Sequence, residues 1–185
     1  APQVLARDGN ERFAENALRI YEFLRDNDVY ITYTIVPPQI DRSKPAHQQD
    51  PPDLYCGVVE ERDDGVVING AQMLGTGAVF SDYVHQSTIH PLRSGDENHA
   101  ISLIVPCNAP GVKIVNTSYA PRHADLRDFP VSATDHCPEG FVIFDDVFVP
   151  NERIFLDGEV KYAATFAHSL GLWERLGSLS HMADQ

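Results

Sequence analysis

Tyr33 to Arg42 reads YTIVPPQIDR, and further along Gln72 to Phe80 reads QMLGTGAVF. Pro37 and Pro38 fix two φ angles and withhold two backbone donors, so the residues after them form a shaped loop rather than a continued strand or helix. Gln39 and Arg42 ride on that loop: an amide that both donates and accepts hydrogen bonds, and a guanidinium that can offset negative charge. In the second stretch Thr76 stands between Gly75 and Gly77. Its hydroxyl can meet a ligand atom, and the glycines can let the backbone approach a flat ring, although Gly-x-Gly in a strand is also the mark of a bulge or kink. Tyr33 can hydrogen-bond a substrate oxygen or fill a half-buried strand position. His168, in YAATFAHSLGLWERL, sits on a largely apolar segment and by itself reads as a satisfied histidine.

These residues need a scaffold, and the chain changes period twice. Asn10 can cap a helix in which Phe13, Ala17, Ile20, Tyr21 and Leu24 recur at spacings of three and four, with Asp26, Asn27 and Asp28 to stop it. From Val29 to about Leu156 the chain is rich in Val, Ile, Thr, Tyr and Phe and is broken by Gly, Pro and Asp, which predicts an all-β region. Arg62-Asp63-Asp64-Gly65 predicts a hairpin between Tyr55 to Glu61 and Val66 to Leu74. Further strands are expected at Val79 to Ile89, Ala100 to Pro106, Gly111 to Ser118 and Phe141 to Val149, with loops at Leu92 to His99 and Tyr119 to Phe129. From Val160 the helical period returns with Tyr162, Phe166, Leu170 and Trp173. The expected organisation is the end of a helical domain at 1–28, a β domain at 29–157 and the start of a second helical domain at 158–185. The chain is thus expected to be a piece of a larger protein. The Asp145-Asp146 pair and the run Glu60 to Asp64 read as strand-surface and hairpin-tip charges rather than acid–base machinery.

Composition narrows the partners. At 185 residues and 43% apolar content the chain can bury the core of one ordinary domain. A formal charge of −13 without a basic block argues against nucleic acid and anionic membranes, which bind through clustered Lys and Arg. No run approaches the roughly 18 apolar residues of a membrane span, and no signal-peptide pattern opens the chain, so a soluble cytoplasmic protein is expected. Cys56, Cys107 and Cys137 are odd in number and far apart, which suggests reduced thiols rather than a disulfide framework. The eight histidines are scattered, and no metal site is expected.

The collinear series YTIVPPQIDRSK, NGAQMLGTGAVFSDYV, GDENHAISLIVPCNAPGVKIV and FVIFDDVFVPNERIF resembles the oxygenase component of the two-component, FADH2-dependent phenol monooxygenases. That family includes 4-hydroxyphenylacetate 3-hydroxylase, phenol 2-hydroxylase and the chlorophenol and nitrophenol monooxygenases. The resemblance implies a mainly β, acyl-CoA-dehydrogenase-like central β-barrel domain flanked by partial helical segments, in a protein that assembles as a homotetramer. It also implies reduced FAD supplied by a separate flavin reductase, reaction with O2 at the flavin C4a carbon to give a hydroperoxide, and attack on a phenolic substrate.

A phenol, with a pKa of about 10, is a poor nucleophile near neutral pH until a base takes its proton. The resemblance places that base at His168. It places Thr76 over the reactive edge of the flavin, Gln39 and Arg42 as cofactor contacts with Gly75 beside them, and the Ser132, Thr134 and Asp135 loop near the flavin. Tyr33 stands where the 4-hydroxyphenylacetate enzymes carry a histidine, which moves the expectation toward phenol itself or a halophenol or nitrophenol. Two other readings stay open: an acyl-CoA-dehydrogenase-like flavoenzyme acting on a CoA ester, and a non-catalytic β-sandwich binding module.

Overall fold

The computed structural model describes residue 6 and residues 9–117, 125–130 and 138–166. Helix α1 (Glu11–Asp26) starts after Asn10, whose backbone carbonyl, rather than its side chain, receives the first amides. Ala14, Ala17, Ile20 and Leu24 pack against the core beside buried Phe13, while Tyr21, expected on the same face, is exposed. Asn16 is buried on that face. Its amide donates to the carbonyls of Asn151 (2.7 Å) and Ile154 (2.9 Å), so a polar pin fixes the helix to the sheet it covers. Asp28 ends the helix at φ 51°, a left-handed conformation that Asp tolerates better than most residues.

The β region folds as two four-stranded sheets. One has the order β1 (Ile31–Thr34), β4 (Tyr83–Ser87), β5 (Ile101–Pro106), β8 (Ile154–Asp157). The other has the order β2 (Gly57–Arg62), β3 (Gly65–Thr76), β7 (Glu139–Pro150), β6 (Val112–Asn116). Among the described residues, isolated bridges at Val36–Met73 and Tyr55–Ala71 join strand flanks, and no closed barrel forms. The β2–β3 hairpin turns through Asp63-Asp64, since Arg62 pairs with Gly65. The expected strand at Val79 to Ile89 is shorter: Gly77 enters the left-handed region (φ 68°), Ala78–Phe80 makes a 3-10 turn, and pairing begins at Tyr83.

Two features lie beyond the expectations from sequence. β1 pairs with β4 in parallel, which sets Tyr33 opposite His85. Strand β8 supplies the opposite edge, and Ile154, Phe155 and Leu156 enter the core with Ile101, Leu103, Ile104 and Val105 of β5. Burying each such side chain contributes roughly 1.5–3 kcal/mol before entropy is set against it. Asp145 and Asp146 are both exposed, paired respectively with Lys113 (2.6 Å) and the Asn69 amide (2.9 Å), in agreement with a strand-surface role. Residues 160–166 are helical, and Ala163 and Phe166 are buried against the core. No described helix is long and apolar enough to cross a membrane.

Candidate active site

β1 is the edge of its sheet, and its alternation divides its duties. Thr32 and Thr34 are buried toward β3: Thr32 Oγ1 donates to the Thr76 carbonyl (2.9 Å), and the Thr34 methyl lies where a side chain on Gly75 would fall, 3.1 Å from an ideal Cβ. The absence of a side chain at Gly75 therefore makes room for Thr34, Ala78 and the Gly140 carbonyl. At Gly77 the left-handed φ carries the requirement. Along the outer edge of β1 runs a shallow cleft lined by Ile31, Thr32, Tyr33, Ile35, Val36, Leu74 and Thr76. Tyr33 and Thr76, distant in sequence, share this cleft.

Thr76 is not a free hydroxyl. Its Oγ1 donates to Glu139 Oε1 (2.6 Å), the residue paired with it across β3 and β7. A hydroxyl that gives its proton away keeps its lone pairs, so toward the cleft Thr76 is an acceptor. Glu139 Oε2 is buried and, among the described residues, has no hydrogen-bond partner. No local signal marks Glu139, because the pairing depends on a register set by the bulge between Gln72 and Gly75.

Behind Tyr33 lies His85. The rings are 4.9 Å apart, and the His85 Nε2 is 3.0 Å from Ser102 Oγ. Phe155 and Phe166 meet the imidazole edge-on at 5.7 and 6.4 Å. Burial among these groups pushes the His85 pKa down to about 4, so the imidazole is neutral near pH 7. His85 also borders an apolar cavity of about 450 Å³ between α1 and the sheet, with Ile20, Leu24, Ile104, Phe155 and Phe166 among its walls. As one of several scattered histidines it carries no signal of its own in the sequence; only the parallel register brings it to Tyr33.

Val36 also lines a second cleft, of about 400 Å³, which the Pro37-Pro38 corner shapes. Gln39, Arg42 and Lys44 line one side and Ile89, His90, Pro91 and Arg93 the other, with Tyr55 among the lining residues. Gln39 donates to the Pro37 carbonyl (3.2 Å), which folds its side chain onto its own corner. Two buried side chains hold the walls. Gln49 donates to the carbonyls of Asp41 (2.8 Å) and Lys44 (3.0 Å), while Asp96 accepts from the His47 amide (2.9 Å) and the Arg93 amide (2.8 Å) and pairs with His47 Nδ1 (2.7 Å). Desolvation raises the Asp96 pKa, but these His47 and Arg93 donors outweigh it and hold the carboxyl below its usual range.

The structure thus brings Tyr33 and Thr76 onto one cleft, with Gly75 buried behind it, and sets Gln39 and Arg42 on the adjoining one. His168, Asp135, Ser132, Thr134 and Trp173 lie outside the described residues. Lys44, His85, His90, Arg93 and Glu139 also border or back the two clefts, and none of them stands out in the sequence.

Comparison with known proteins bears on this arrangement. The family model described as 4-hydroxyphenylacetate 3-hydroxylase N terminal matches residues 1–156. The oxygenase component of 4-hydroxyphenylacetate 3-monooxygenase from Geobacillus sp. (strain PA-9) is 33% identical over 156 residues, 83% of this chain and 32% of the relative. The FADH(2)-dependent monooxygenase TftD of Burkholderia cepacia is 30% identical, over 86% of this chain and 30% of its own length. Among solved structures, the oxygenase component HpaB of 4-hydroxyphenylacetate 3-monooxygenase complexed with FAD superposes with a TM-score of 0.74 at 34% identity, covering 82% of this chain and 31% of that one. An archaeal 4-hydroxybutyryl-CoA dehydratase from N. maritimus also gives 0.74, at 24% identity, which shows a shared fold alone. The chain spans about a third of the length of these relatives. With a match that runs from the first residue into β8 and includes both clefts, the chain belongs to the 4-hydroxyphenylacetate 3-hydroxylase N-terminal family.

Proposed function

We propose that this chain forms the flavin- and substrate-facing region of an oxygenase component that uses reduced FAD and O2 to hydroxylate a phenolic ring, with phenol or a halophenol or nitrophenol as substrate. The observation that carries the reading is the pair of adjoining clefts: an apolar one bearing Tyr33 and Thr76, and a cationic one bearing Gln39, Arg42, Lys44 and Arg93. A flavin dinucleotide needs contacts of both kinds, a flat apolar surface with a few hydrogen-bonding groups for the ring and cations for the phosphates. Reduced FAD would supply the electrons that activate dioxygen.

The chain's own groups divide the work. Thr76, its proton committed to Glu139, accepts from an N–H of the reduced ring. Tyr33, packed on His85, offers its hydroxyl toward the substrate oxygen. Arg42 offsets negative charge on the cofactor, with Gly75 and Asp135 among the cofactor contacts. His168 takes the phenolic proton. The apolar lining excludes water, which keeps the reactive oxygen for the substrate. A separate flavin reductase and assembly as a homotetramer in the cytoplasm belong to the same proposal.

The test is turnover by the full-length protein with chemically reduced FAD, oxygen and a panel of phenol, 4-hydroxyphenylacetate, chlorophenols and nitrophenols, with products separated by chromatography. Hydroxylated product is expected from the simple or halogen- or nitro-substituted phenols in preference to 4-hydroxyphenylacetate. Flavin oxidation without any hydroxylated product would defeat the reading. Thr76→Val should raise the hydrogen peroxide released per product formed, and His168→Ala should slow hydroxylation without changing FAD affinity.

A further inference from the structure

Another cavity shares only Tyr55 with the cationic cleft and nothing with the β1 cleft. It holds about 370 Å³, within the range of small-molecule sites. Pro52, Tyr55, Val58 and half-exposed Val59 give it apolar walls, and the imidazoles of His47 and His99 also line it.

The two imidazoles differ in what they have left to offer. His47 is committed at both nitrogens: Nδ1 donates to buried Asp96 (2.7 Å), and Nε2 accepts from the Gln48 amide (3.1 Å). His99 is committed at one. Its Nδ1 lies 3.2 Å from the Cys56 carbonyl, which can only accept, so the proton sits on Nδ1 and Nε2 keeps a lone pair. The residue is only 7% exposed, and among the described residues its Nε2 forms no hydrogen bond. Burial pushes the His99 pKa down, so Nε2 stays unprotonated near neutral pH. Gly57 leaves room for the ring, since an ideal Cβ there would stand 2.7 Å from His99 Nδ1. A buried acceptor without a donor is uncommon in a folded protein and calls for a donor from outside the chain.

The lining limits what that donor can be. Among the described residues no Lys or Arg lines the cavity, whereas Asp53 does, so an anion is repelled. Nor do the described residues include a group of three or more His, Cys, Asp or Glu able to hold a metal ion. An ammonium ion would give up its water for one uncharged acceptor, a loss that exposed Asp53 does little to offset. Asn69 is already engaged, because its amide donates to the Asp146 carboxylate and its carbonyl accepts from the Asp146 amide. What remains is a neutral acceptor beside an aromatic ring and apolar side chains, which complements an uncharged ring bearing one hydroxyl.

We infer that this cavity is a binding site for a neutral phenol, whose ring lies against Tyr55 and Val58 and whose hydroxyl donates to His99 Nε2. The site is separate from the β1 cleft in which oxidation is proposed, and it needs no flavin. Because Tyr55 also lines the cationic cleft, one aromatic ring stands between that cleft and a molecule held here.

Fluorine NMR titration of the full-length, flavin-free protein at pH 7 tests this with 4-fluorophenol and 4-fluoroanisole, of which only the first has a hydroxyl to donate. A phenol, with a pKa of about 10, stays protonated there. Wild type should bind the phenol about fivefold more tightly than the anisole, the worth of one hydrogen bond. His99→Phe, which keeps a ring and removes the acceptor, should erase that ratio. Val59→Trp, at a half-exposed position on the wall, should block both ligands, and it decides the matter should His99→Phe fail to fold. A phenol-to-anisole ratio that survives His99→Phe, or binding untouched by Val59→Trp, would overturn the inference. Binding lost in Tyr33→Phe but kept in the His99 and Val59 variants would assign the phenol to the β1 cleft, which overturns this site and leaves the proposed function standing. Binding that depends on His99 in a protein that hydroxylates no phenol leaves this site standing while the proposed function falls.

Discussion

Replacing Asp96 by Ala should be among the most damaging single changes near the candidate site, although Asp96 faces neither cleft. Its carboxylate is fully buried and has three donors within reach: the His47 amide at 2.9 Å, His47 Nδ1 at 2.7 Å and the Arg93 amide at 2.8 Å. A hydrogen bond to a charged group is worth about 1.5–3 kcal/mol, and a buried donor left unpaired costs about 1–3 kcal/mol. The His47 ring is a third exposed and can turn to water, so its share is discounted. Two backbone amides and a weakened imidazole contact then give about 3–5 kcal/mol. In a protein of this size that lowers Tm by about 6–20 °C. Asp96→Asn, which keeps the shape and one acceptor, should fall between. Thermal and urea unfolding followed by circular dichroism measure both. The sign with pH comes from the carboxyl being held below its usual range in the fold: its contribution is present above the unfolded pKa of about 3.9 and disappears as pH falls through the lower folded value. Asp96→Asn should remove that part of the acid limb. An Asp96→Ala protein within about 0.5 kcal/mol of wild type would refute the reading that Asp96 holds the walls of the cationic cleft.

Further expectations concern the core and its titrating groups. Since burial holds the His85 pKa at about 4, the unfolded chain takes up the proton first, and stability should decline as pH falls from about 6.5 toward 4. His85→Phe should flatten that decline in pH-dependent urea unfolding; half-buried His90 and buried His99, also pushed down by desolvation, account for what remains. Gly70→Ala should cost more than about 2 kcal/mol or prevent folding, because φ is 116° and a Cβ would stand 2.6 Å from the Cys56 backbone. A soluble Gly70→Ala protein of wild-type Tm would contradict that geometry. Burial pushes the Cys56 thiol up and the Cys107 thiol up to about 11, so iodoacetamide at pH 8 should spare both until the protein is unfolded, as peptide mass mapping will show. Rapid native labelling of Cys56 would show that β2 and β3 open far more readily than their packing implies.

Local signals carry the fold further than they carry the site. The α1 spacing, the Asp63-Asp64 turn and the β-branched runs each act through neighbours a few residues away, and they account for the helix, the hairpin and most strands. The parallel pairing of β1 with β4 has no such local cause, because β1 is only four residues long and its partner lies about fifty residues on. That one non-local pairing decides which histidine meets Tyr33. Had β1 paired one residue out of step, Thr32 and Thr34 would face the His85 side and Tyr33 would be driven toward Gly75, into the place where the small Thr34 methyl now lies 3.1 Å from an ideal Gly75 Cβ. Gly75 is therefore as much a register lock as a candidate cofactor contact.

The same reasoning separates Thr76 from Arg42. A guanidinium on a proline-shaped loop announces its chemistry in the sequence, since its charge does not depend on which strand lies alongside. The role of a threonine hydroxyl depends on where its proton goes, and here the proton goes to Glu139, which only the β3–β7 register supplies. With the proton held there, Thr76 can accept a hydrogen bond from a ligand N–H but has none to give. A Glu139→Gln protein, in which the amide nitrogen can donate to Thr76 and free its proton, reverses that polarity without changing the shape of the cleft. Glu139, rather than Thr76 alone, therefore sets which face of a hydrogen-bonding ligand the cleft prefers.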